Sequence, residues 1–69
     1  MKVLSVVNGA IGSDSDLVFK YVNKGNGSAN ERHVHPVEIL NGNVLVAVDL
    51  EKDSYRRFIL DNMSEVRSI

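Results

Sequence analysis

The chain has no cysteine, no tryptophan and a single proline in 69 residues. Without cysteine there is no disulfide to brace the fold, no thiolate to hold zinc and no pointer to an oxidising compartment. A domain of this size buries only about 60% of the surface its unfolded chain exposes. Its stability must therefore come from an efficient small core, a partner or self-assembly. An excess of either charge is also missing, since eight Lys and Arg face nine Asp and Glu. Holding nucleic acid by bulk charge needs a basic excess, so any anion site has to be local. Long apolar runs are absent too. Stretches such as Val44–Val48 and Phe58–Leu60 fall far short of the ~20 residues that cross a bilayer. The opening Met1-Lys2, VLSVV and Asn8-Gly9 are too short and too polar for a signal peptide. These absences lead us to expect one cytosolic (cytoplasmic), soluble domain over residues 1–69, with no membrane association.

What is present reads as a helix followed by strands. In MKVLSVVNGAIG, Val3, Leu4, Val7, Ala10 and Ile11 fit one helical face, with Val6 off the pattern and Gly12 suited to a helix end. Ser13–Asp16 is a turn whose side chains can accept local backbone N–H groups. In LVFKYVN, Leu17, Phe19 and Tyr21 alternate with Val18, Lys20 and Val22, which predicts a strand. Asn23–Asn30 is a loop of asparagine, glycine and serine. A second strand is expected from about Glu31 to Leu40, and Pro36 inside it demands an edge, a bend or a bulge. Asn41-Gly42-Asn43 predicts a hairpin. VLVAVDL follows as a third strand, EKDS as a turn, YRRFILD as a fourth strand, and Glu65–Ser68 as a short fifth. Four or five meandering strands in so small a body cannot bury a flat sheet, and rolling them into a barrel solves this.

YRRFILDNM, Tyr55 to Met63, sets two arginines among residues that want burial: Tyr55, Phe58, Ile59 and Leu60. Alternation puts Arg56 on the face of Phe58 and Leu60, at the barrel mouth, and Arg57 on the other. At such a mouth a guanidinium presents a planar fork suited to phosphate. The plainer reading is an ion pair with Glu31, Glu38 or Asp61. His33 and His35 share a strand face, but zinc wants three or four protein ligands and no third is evident, so no metal is expected. Asp14 and Asp16 lack the further oxygen ligands of a calcium loop, and a turn role suits them better. GNGS lacks the lysine of a phosphate loop. No spacing of Ser, His and Asp suggests a triad, so no catalytic residue and no cofactor are assigned.

In order and spacing these segments resemble the WYL domain, a small Sm-like barrel of bacterial and phage regulators. Ala10–Ile11 is similar to the family's helix end, LVFKYVNKGNG to its first strand with Tyr21 at the aromatic position, and RHVHP, Arg32 to Pro36, to its Arg-x-Val-x-Pro stretch. VLVAVD, Val44 to Asp49, resembles the name-giving strand, and RRFILDNM, Arg56 to Met63, resembles the Arg-x-Phe-x-Leu-Asp-x-Ile signature. The chain departs from the pattern at Asn43 and Val44, where Trp and Tyr would stand, leaving Leu45. It departs again at Ile59 and Asn62, where arginines are usual. The resemblance implies a mainly β fold: a short N-terminal helix, then a four- or five-stranded Sm-like (SH3-like) barrel. It also implies a non-enzymatic regulatory domain that binds an anionic nucleotide or short nucleic acid. Tyr21, Arg32, His35, Arg56 and Arg57 would form the ligand site. The chain carries only the barrel, whereas such regulators usually place a DNA-binding helix-turn-helix before it and a module behind. A standalone domain is therefore expected, one that modulates a protein partner or sequesters a nucleotide signal for a phage. The alternative is an assembly module. Val44, Val46 and Val48 lie opposite Leu45 and Ala47, and whichever face is outermost would seek a partner, such as another copy in a homo-oligomer.

Overall fold

The computed structural model describes residues 3–22 and 29–69. A helix, α1 (Val3–Gly12), precedes five strands: β1 (Leu17–Val22), β2 (Ala29–Leu40), β3 (Val44–Asp49), β4 (Ser54–Ile59) and β5 (Met63–Ser68). A short 3-10 turn, Leu60–Asn62, joins the last two strands. The fold is mainly β, as expected. Most of the expected loop at Asn23–Asn30 lies outside the described residues, and Ala29 and Asn30 already belong to β2.

The strands form one antiparallel sheet in the order β4-β3-β2-β1-β5. That order forces curvature. In a flat sheet, four inter-strand steps of ~4.8 Å would hold β4 and β5 about 19 Å apart. Only three residues in a 3-10 turn connect them, and at ~2 Å rise per residue they span less than half of that. The sheet must therefore roll. Tyr21 Oη on β1 accepts the backbone N–H of Ile59, at the end of β4, at 3.1 Å, a contact made between strands that do not pair with each other.

The interior holds Leu17, Phe19, Val34, Leu45, Ala47, Phe58, Leu60, Met63 and Val66, covered on one side by Val7 and Ala10 of α1. Phe19, Tyr21 and Phe58 meet edge-to-face, with centroids 5.1 to 6.2 Å apart, a geometry that aromatic quadrupoles favour.

Local details refine the sequence reading. The helix stripe is Val3, Val6, Val7, Ala10 and Ile11. Val6 is part of it and Leu4 is left exposed, because the face centres one position round from the expected one. The left-handed residue at the helix end is Asp14 (φ 57°). Ser15 N bonds Ala10 O and Asp14 N bonds Ile11 O, the paired bonds of a Schellman cap. Pro36 is accommodated as expected. The β2–β3 register shifts between Pro36 and Glu38, and β1 stops pairing at Val34, so proline's missing N–H costs no ladder bond on that side. The fourth strand ends at Ile59 rather than Asp61, and the fifth begins at Met63. Tyr55 is not core. It is 72% exposed, and Ile59 is exposed as well, because both alternate onto the outer face.

Candidate functional site

Cross-strand partners share a face, so the registers sort the candidate residues. On the inner face Pro36, Ala47 and Arg56 form one row, and Ile39, Leu45 and Phe58 another. On the outer face His35, Val48 and Tyr55 form a row, then Glu38, Val46 and Arg57, then Leu40, Val44 and Ile59. Arg56 and Arg57 thus stand on opposite faces, as alternation requires. The face turned inward on β3 is Leu45, Ala47 and Asp49, and the valines face out, half-buried.

The inner group centres on Asp49, a carboxylate only 2% exposed. Its position follows from the turn after β3. Asp49 Oδ1 accepts N–H from Glu51 at 3.0 Å and Lys52 at 3.3 Å, closing an Asx-type turn. Asp49 Oδ2 lies 3.6 Å from Arg32 Nη1 and 3.6 Å from Arg56 Nε. The structure therefore brings Arg32 and Arg56 together, and the acid between them is Asp49 rather than Glu31, Glu38 or Asp61. Glu31 pairs instead with Arg67 at 3.3 Å. At 3.6 Å the contacts are electrostatic and longer than hydrogen bonds. Among the described residues, Asp49 Oδ2 and Arg32 Nε are buried with no hydrogen-bond partner. Asp49 was missed in the sequence, although its alternation with Leu45 and Ala47 places it on the core face. Arg32 is largely buried, while the Arg56 side chain is 44% exposed.

His35 lies on the outer face, apart from this pair. Its Nδ1 is 2.8 Å from Asp16 Oδ1 and its Nε2 is 3.2 Å from Asp14 Oδ1. His33 Nε2 lies 3.6 Å from Asp16 Oδ2. The His35 pKa is raised above 6.5, chiefly by the hydrogen bond to Asp16. Desolvation opposes the rise and the charge of Asp14 adds to it. Asp14 and Asp16 thus do more than shape a turn: they tie the α1–β1 connection to β2. No group of three or more metal-ligating side chains suited to a metal ion occurs among the described residues.

Tyr21 sits in the aromatic cluster with its hydroxyl on Ile59 N. Arg57 borders an open groove of about 310 Å³ with Glu38, Leu40, Val46, Tyr55 and Arg56. A second groove, of about 360 Å³, runs beside Val3, Leu4, Asn43, Leu60, Asp61 and Met63. It includes Asn43, where the resemblance places an absent tryptophan. No helix among the described residues is long and apolar enough to cross a membrane.

The solved structure of proteasome accessory factor B/C (PafBC) of Arthrobacter aurescens is similar to this chain, with a TM-score of 0.84 at 21% identity. The match covers 97% of this chain and 11% of that one, so the likeness is one of fold and the chain spans about a tenth of that protein's length. No curated protein matches the chain. The family model described as the WYL domain matches residues 2–68. With the family's arrangement of helix and strands in place and its model matched along nearly the whole chain, the chain belongs to the WYL domain family.

Proposed function

We propose that this WYL domain is a non-enzymatic, cytoplasmic regulatory module that binds an anionic ligand, a nucleotide or short nucleic acid, where Arg32 and Arg56 converge. One observation carries the reading: two guanidiniums share the single buried carboxylate of Asp49. One positive charge is left over at a place partly withdrawn from water, where electrostatic interactions are stronger than in bulk solvent. Asp49 orients the two forks without using up their donors, since each guanidinium carries five N–H groups. A phosphate is the ligand such a pair suits. In this reading Arg57 and His35 contribute from the outer face, and Tyr21 supports the seam at Ile59, at the end of β4 away from Asp49.

The test is thermal unfolding with mono-, di- and cyclic nucleotides. A ligand at a hundred times its Kd adds about 2.7 kcal/mol, a rise on the order of 10–20 °C for a domain this small. Arg56→Ala should abolish the rise and still unfold cooperatively, because Arg32 keeps Asp49 paired. No rise with any nucleotide sinks the reading.

A second reading, self-association into a homo-oligomer, is favoured by the edge strand β4, which pairs with β3 alone in the sheet and exposes Tyr55 and Ile59. Such an edge is a template for another strand. A monomeric mass by light scattering at high protein concentration would remove it.

A further inference from the structure

We propose that the outer face of β2, β3 and β4 is a nucleobase platform: Tyr55 stacks on the base, Glu38 accepts from its amine edge and Arg57 engages its phosphate, so that guanine is preferred to uracil. This rests on the nucleotide reading above and specifies what that ligand is.

Tyr55 is the most exposed large apolar side chain among the described residues. Neither its hydroxyl, nor Glu38, nor Arg57 has an ion-pair or side-chain hydrogen-bond partner there. Yet the three surround one groove of about 310 Å³, within the size range of small-ligand pockets. Register supplies the spacing. Glu38, Val46 and Arg57 lie in one row across three strands, so the backbones that carry acid and base are about 10 Å apart with valine as the floor. That is about the reach of a nucleobase and the start of its sugar. Among the described residues neither of the two forms an ion pair. Tyr55 is two residues from Arg57 on the same face and supplies a wall. Aromatic stacking accepts any base, so selectivity falls to Glu38. An ionised carboxylate only accepts hydrogen bonds. Guanine offers it two parallel donors, N1–H and the N2 amine. Uracil offers one N–H flanked by carbonyl oxygens that repel it. Arg56 lines the same groove while its Nε faces Asp49, which joins the platform to the anion pair.

Isothermal titration should compare GMP, UMP, guanosine and the single strands UUGUU and UUUUU. We expect GMP to bind at least about tenfold more tightly than UMP, and guanosine more weakly than GMP. Tyr55→Phe should keep the affinity. Tyr55→Leu should lose about 5- to 150-fold, the range of one base–aromatic stack. Glu38→Gln should collapse the GMP-over-UMP preference. Either source of the base supports the platform. UUGUU above GMP, with a steeper salt dependence, assigns a strand, and the reverse assigns a free nucleotide. Equal binding of GMP and UMP, or undiminished binding by Tyr55→Leu, overturns the platform. If Arg56→Ala still abolishes binding in that case, the anion reading stands without it. If no nucleotide binds the parent chain, both fall.

Discussion

Asp49 is an acid in a place where acids are costly. Removing a carboxylate from water is repaid only by close partners, and here there are two backbone N–H donors and two guanidiniums. His35 poses the converse case. A neutral imidazole has one donor and one acceptor nitrogen, yet both His35 nitrogens face carboxylates, so the geometry favours the doubly protonated ring. Because the folded-state pKa is raised, this contribution to stability is complete below the unfolded value of about 6.5 and disappears as pH rises through the higher folded value. Melting temperature measured from pH 5.5 to pH 8.5 should therefore decline through that window. His35→Asn should remove that decline, and an identical profile in the variant would refute the assignment. That the two histidines share a face was legible from their spacing of two. Their acids were not, because Asp14 and Asp16 lie across a turn whose direction depends on Asp14 adopting a left-handed backbone.

Among the elements, the β2–β3 hairpin is the most locally determined. Asn41 (φ 53°) and Gly42 (φ 71°) are both left-handed, as the tight turns that match strand twist require. Asn43 N closes the turn onto Leu40 O at 3.1 Å. An added Cβ at Gly42 would meet nothing within 4 Å, so the cost of Gly42→Ala is purely conformational, about 1 kcal/mol. Urea unfolding should show that loss with an unchanged m value, and no loss would mean that the turn relaxes. The bulge at Pro36 was readable for the same reason, since proline restricts its own surroundings. The helix stripe and the fifth strand were read less well. Leu4 and Val6 are equally apolar, and which of them is buried depends on how α1 rests on β5. Met63 and Ser64 become strand only because β1 offers Tyr21 and Lys20 as partners.

Over the whole molecule, rolling of the sheet is what makes a site out of separate strands. Arg32 and Arg56 are 24 positions apart in the chain, and they meet because β3, with Asp49, lies between β2 and β4. The seam near Tyr21 tests how the roll is held. Tyr21→Phe keeps the ring in its aromatic cluster but leaves Ile59 N without its partner, a loss of about 1 kcal/mol. Thermal unfolding should show it, while nucleotide affinity, if the anion lies with Arg32 and Arg56, stays within twofold. A large fall in affinity with unchanged stability would return Tyr21 to the ligand site.

Alternation, turn chemistry and the absence of cysteine and long apolar runs are local properties, and from them the sequence alone determined a helix followed by a rolled meander with its two arginines on opposite faces. Which acid meets those arginines, and that Tyr55 faces solvent, depended on register and curvature. Those are properties of strands packed together. A strand shows which side chains share a face, but only its neighbours decide which face is inside.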